Sequence, residues 1–131
     1  MGISVNFDPI LNVYFKKISG SVTITQVRTS LQDRTQFDLT RNLFIVDDVL
    51  KAKFNFKFKD LYSFINKTQQ NLPENILIFH AVVSTSKAIN LFAKAIAGIK
   101  NHRYQVQVFS NQQAALNWLQ EKQKVFGATT L

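Results

Sequence analysis

Three short runs of β-branched and aromatic residues, interleaved with stretches of helical spacing, constrain this chain more than any other feature. Leu43-Phe44-Ile45-Val46, inside residues 41–48, is too short and too β-branched for a helix. It reads as a strand buried on both faces. Residues 76–83 open with Ile76-Leu77-Ile78-Phe79 and read the same way. In the third run Tyr104, Val106 and Val108 alternate with Gln105 and Gln107, and Phe109 completes it. Strands separated by helical stretches point to an α/β chain with a mostly parallel sheet and right-handed crossovers.

The segment ahead of these runs reads as a hairpin. Ile3, Val5 and Phe7 alternate with polar neighbours, as do Leu11, Val13 and Phe15. That is the period of a half-buried strand. Asp8-Pro9 suits the turn between them, and Gly20 is expected to end the second strand. One antiparallel strand therefore joins the sheet.

About four helices are expected. Thr23 with Gln26 fits a capping box, in which hydroxyl and amide satisfy each other's backbone N–H groups. With Ile24, Val27 and Leu31 behind it, the spacing predicts a helix over 22–33. Leu61, Phe64, Ile65 and Thr68 mark a second helix, closed before Pro73. Ser84-Thr85-Ser86 offers caps for a third, with Ile89, Phe92, Ala93 and Ile96 on one face and Gly98 near its end. Ser110-Asn111-Gln112-Gln113 is a second capping box, ahead of a final helix with Ala115, Trp118 and Leu119 as its stripe. Between the first crossover strand and the second helix, residues 51–59 alternate Lys with Phe and are expected to be an extended connection.

Length and composition set the outer limits. A chain of 131 residues is expected to form a single domain over 1–131. It can bury roughly two-thirds of its unfolded surface without a metal or disulfide. The 46% hydrophobic content, with 12 Phe, 3 Tyr and 1 Trp, disfavours disorder. No cysteine is present, which excludes thiolate metal sites and thiol nucleophiles and fits a reducing, cytoplasmic setting. No secretory signal pattern is visible, and the apolar runs fall far short of the ~18–20 residues needed to cross a bilayer, so no membrane partner is expected.

The net charge of +8 favours attraction to anions. No acid stands between Glu74 and Glu121, while Lys87, Lys94, Lys100 and Arg103 do. Such a region serves a nucleic acid, an acidic protein or an anionic lipid, or is simply the solvated face of a basic protein. The Lys/Phe alternation invites a nucleic-acid reading through Lys53, Lys57 and Lys59. Alternation sends Phe and Lys to opposite sides, however, so buried Phe beneath solvated Lys is the simpler picture.

Several residues are resemblance-bearing. Phe7-Asp8-Pro9, Val13-Tyr14-Phe15 and Ser19-Gly20-Ser21-Val22-Thr23 resemble the opening of bacterial SpoIIAA-like proteins, relatives of the STAS and SEC14-like groups. Ile45-Val46-Asp47 resembles that family's strand end, and Val108-Phe109 with Ala114-Ala115-Leu116-Asn117-Trp118-Leu119 resembles its close. The resemblance implies a SpoIIAA-like fold and a bacterial interaction protein. STAS anti-sigma antagonists carry a phosphorylated Asp-Ser-Ser/Thr-Gly stretch, whereas the matching place here reads Asp47-Asp48-Val49-Leu50-Lys51-Ala52-Lys53. It has neither hydroxyl nor glycine, so phosphoserine switching of that kind is not implied.

Catalysis finds little support. The four glycines form no phosphate loop or dinucleotide fingerprint. His80 lies within a strand, where a structural histidine is expected, and His102 beside Arg103 suits a surface turn. Neither metal nor cofactor is implied. Asp47 and Asp48 stand at the carboxyl end of a parallel strand, where α/β sheets place ligands. Paired carboxylates hold hard cations or share protons, but adjacent strand residues face opposite sides and Asp is also a common turn former. Ser84, Thr85, Ser86 and Lys87 are the best anion-binding candidates, since a helix N-terminus attracts phosphate or carboxylate. The same residues are ordinary caps.

The resulting expectation is a non-catalytic regulatory or scaffolding module with an unidentified protein partner. A homodimer through the hairpin edge or a helix face is compatible with it. The alternatives are a carrier or sensor of a small anionic or apolar ligand, and weak nucleic-acid binding.

Overall fold

The computed structural model describes residues 2–32, 37–57, 59–60, 75–97 and 104–127. Its elements run β1 (Gly2–Asp8), β2 (Val13–Val22), α1 (Ile24–Gln32), β3 (Leu43–Phe54), β4 (Ile78–Val83), α2 (Lys87–Ala97), β5 (Tyr104–Phe109) and α3 (Gln112–Phe126). All five strands form one sheet in the order β1-β2-β3-β4-β5. β1 is antiparallel to β2 and every other pairing is parallel, as the alternation of runs predicts. Among the described residues there are three helices rather than about four. The helix expected around Leu61, Phe64, Ile65 and Thr68 lies outside the described residues, as do Gly98, His102 and Arg103.

Local chemistry explains the element ends. Asp8 Oδ1 accepts from the amides of Ile10 (2.9 Å) and Leu11 (3.1 Å), closing the hairpin turn after Pro9. Asn12 takes the left-handed conformation there (φ 54°), which an Asx side chain tolerates. Thr23 and Gln26 form the reciprocal capping box, so α1 starts at Ile24 rather than at residue 22. Asn111, not Ser110, caps α3: its side chain accepts from Ala114 N at 2.9 Å.

Two strand boundaries differ from expectation for one reason. Gly20 adopts a positive φ of 78° inside β2 instead of ending it, and β2 continues to Val22. β3 follows its neighbour to Phe54, through residues expected to be a connection. Period-two alternation is shared by strands and extended connections; the length of the partner strand decides between them.

The sheet is covered on both faces. On one, Phe44 and Phe79 stack with ring centroids 5.3 Å apart and pack with Val46, Ala81, Ala115 and Leu119. Trp118 is half-buried at the edge of this cluster against Phe109. The opposite face carries Tyr14, Ile45 and Ile78 at one end, and Ile18, Val22, Val49, Val82 and Ile89 at the other.

Candidate functional site

β3 is longer than the strand beside it. Its pairing with β4 runs from Leu43↔Ile78 to Asp48↔Val83 and stops there, whereas its pairing with β2 continues to Val22↔Phe54. The change coincides with a β-bulge. Lys17 faces Asp48 and Ser19 faces Lys51, so β3 carries one more residue than β2 across this step. Asp48 Oδ1 accepts from Leu50 N at 3.1 Å and holds the bulged backbone. Asp48 thus plays the turn-forming role that its residue type allows.

Where β3 runs on past the end of β4, an open groove of about 350 Å³ lies beside it. Val49, Leu50 and residues 52–54 make one wall, and Ser84, Thr85 and Ser86 the other, with Ile89 below. Leu50 is 49% exposed, large for an aliphatic side chain in a strand. Ser84 Oγ accepts from Ser86 N (3.0 Å), and Ser86 Oγ accepts from Ile89 N (3.4 Å), which makes Ser86 the cap of α2. First-turn amides have no acceptor within their own helix, so this wall presents donors and the positive end of the helix dipole. Of the expected anion-binding group, Ser84, Thr85 and Ser86 line the groove; Lys87 is exposed and is not part of its lining. The cation on the groove is Lys53, which the sequence reading had placed with the Lys/Phe alternation instead.

Asp47 belongs to a different place. It is 8% exposed, lies on the sheet face shared with Tyr14 and Ile45, and does not line the groove. His80 Nε2 donates to Asp47 Oδ2 at 3.1 Å. With that nitrogen protonated, Nδ1 accepts, and the Tyr104 hydroxyl donates to it. Lys16 stands opposite Asp47 in the β2–β3 register, is equally buried, and donates to Ser30 on α1. A polar row therefore crosses four strands beneath the helices. Burial, and then the negative charge of Asp47, push the Tyr104 phenol well above its ordinary pKa, so it remains a neutral donor. Asp47 Oδ1 is buried without a hydrogen-bond partner among the described residues.

The row has the order of a nucleophile–base–orienter chain, with both nitrogens of His80 engaged and the Tyr104 phenol held protonated. It joins β3, β4 and β5 by side chains. Sequence reasoning expected a structural histidine but found neither partner, because these lie 33 and 24 residues away. Lys16 left a readable signal: it interrupts the inward series Tyr14, Ile18. Among the described residues no group of three or more His, Asp or Glu is placed to hold a metal ion, and no helix is long and apolar enough to cross a membrane.

No protein-family model matches the chain, and no curated protein matches it. Among solved structures, the chain is similar to an uncharacterised protein of the DUF3478 family with a SpoIIAA-like fold, from Shewanella loihica PV-4. The two superpose with a TM-score of 0.58 at 11% identity, over 90% of this chain and 92% of that one. The likeness shows that the chain has the SpoIIAA-like fold.

Proposed function

We propose that this protein is a non-catalytic interaction module whose contact region is the groove beside the free end of β3. The observation that supports it is the overrun of β3 past β4, which among the described residues leaves one side of β3 after Asp48 without a strand partner and Leu50 half-exposed on an open wall. Exposed strand edges and exposed large aliphatic side chains are normally covered, and a partner is a common cover.

The test is a paired capture from native lysate with the wild-type protein and the Leu50→Glu variant, each with and without nuclease. The reading expects a stoichiometric, nuclease-resistant partner with wild type that Leu50→Glu loses. Equal capture by both proteins would place the contact elsewhere and end this reading. A second copy of the chain as partner would appear as a concentration-dependent dimer abolished by the same substitution.

A second reading uses the same groove. Its volume falls at the lower end of small-molecule sites, ~300–1,000 Å³. Its hydroxyls and Lys53 beside apolar Ala52 and Ile89 suit a small anionic ligand with an apolar part. Native mass spectrometry of freshly isolated protein would then show a bound small molecule that Lys53→Glu loses. Nucleic-acid binding would instead follow Lys51, Lys53, Lys57 and Lys59 together, with affinity falling steeply as salt rises.

A further inference from the structure

Resting on the interaction reading, we infer the chemistry of the partner: an extended, acidic peptide segment that adds to the free edge of β3 as a sixth strand. Three observations converge on it.

The first is backbone geometry. Beyond Asp48, β3 is paired by β2 on one side only among the described residues, while β4 has ended at Val83 and the chain has turned into the cap of α2. An incoming strand would occupy the line that β4 vacates. It would exchange main-chain hydrogen bonds with those residues after the bulge, from Lys51 to Lys53, that face away from β2. These three residues span about 10 Å at ~3.3 Å per residue, so a peptide of about three or four residues is enough to cover them.

The second is charge. Lys51, Lys53, Lys57 and Lys59 are exposed on β3 and the residues after it, and Lys87 is exposed at the start of α2. No acid occurs between Asp48 and Asp60, or between Glu74 and Glu121. The first turn of α2 adds the positive end of its dipole. Carboxylates on the incoming strand meet complementary charge on both sides of the groove.

The third is the apolar lining. Leu50, Ala52 and Ile89 border the groove between these charged rims. A strand presents alternate side chains to opposite sides, so an acidic-aliphatic alternation sends its aliphatic set inward and its carboxylates outward to the lysines.

The experiment uses a fluorescein-labelled Glu-Val-Glu-Val-Glu-Val peptide and the full chain. Anisotropy should show saturable binding to the wild type, reduced at least tenfold by Lys53→Glu. The same peptide N-methylated at alternate residues, on the set that would bond to β3, should also bind at least tenfold more weakly. This arm leaves the protein unaltered and so does not depend on a variant that folds. Amide hydrogen exchange on β3 should slow between Lys51 and Lys53 when the peptide is bound. Equal binding of the N-methylated peptide would overturn the inference, because charge alone would then account for the affinity. Absence of binding up to millimolar peptide would overturn it as well. If lysate capture still depended on Leu50 in either case, the interaction reading would stand and only the peptide chemistry would fall.

Discussion

The two halves of β3 are built from one continuous strand and behave as opposites. From Leu43 to Asp48 the strand is flanked on both sides, by β2 and β4, and its residues are almost all buried. From Val49 to Phe54 β2 is its strand partner among the described residues, and exposed Leu50, Lys51 and Lys53 mix with covered Val49, Ala52 and Phe54. The closed half carries Phe44 and Val46 into the core on one face and Asp47 into the polar row on the other. The open half carries Leu50, Ala52 and Lys53 onto the groove. The bulge at their junction marks where scaffold gives way to candidate site. Sheet proteins commonly put bulges next to functional sites, where they re-aim side chains and end pairing.

Substitutions should separate the halves by size of effect. Phe79→Ala removes a fully buried ring from the stack against Phe44 and should destabilise the fold by ~3–5 kcal/mol in chemical denaturation. A loss under 1 kcal/mol would mean that the closed half is not the packed one. Asp47→Ala should come next, at about 2 kcal/mol, because His80 Nε2 would remain buried without its acceptor. Replacing both, as His80→Leu with Asp47→Leu, should cost less than the two single changes added, since neither group is then left buried without the other. Strict additivity would show that the row is not energetically coupled.

Tyr104→Phe should be milder, about 1 kcal/mol at neutral pH, and should also change the pH dependence. The native phenol keeps its proton to higher pH than the unfolded one, whose pKa is near 10. Its contribution is therefore complete below pH 10 and falls as pH rises through the native value. The decline approaches at most one proton's worth, about 1.4 kcal/mol per pH unit. Wild-type unfolding curves between pH 9 and pH 11 should show this decline, and Tyr104→Phe should flatten it; parallel curves would contradict the assignment. Smallest of all, Leu50→Glu and Lys53→Glu in the open half should alter stability by no more than about 0.5 kcal/mol while affecting binding. A loss of several kcal/mol at either position would mean that the groove wall belongs to the core.

How legible each half was follows from the same contrast. The closed half has a local signal, since a buried parallel strand is a short uninterrupted apolar run, and Leu43-Phe44-Ile45-Val46 is one. Thr23 with Gln26, and Asp8 with Pro9, were also legible because caps and turns are settled within a few residues. The polar row was not, because it depends on register between strands far apart in the chain. The open half was misread as a connection for a related reason. Lys/Phe alternation describes extended backbone, and only the continuation of β2 through Gly20 turns that backbone into a strand. The groove itself arises from a difference in length between β3 and β4, which no single segment encodes.

Residue-resolved amide hydrogen exchange of the free protein tests the central claim most directly. The account predicts that Leu43 to Asp48 exchange slowly at every position, through global unfolding. After the bulge, from Lys51 to Lys53, slow and fast amides should alternate, slow where the N–H bonds to β2 and fast where it faces the groove. Uniform protection through Lys53 would contradict it, because the edge assigned to a partner would already be covered.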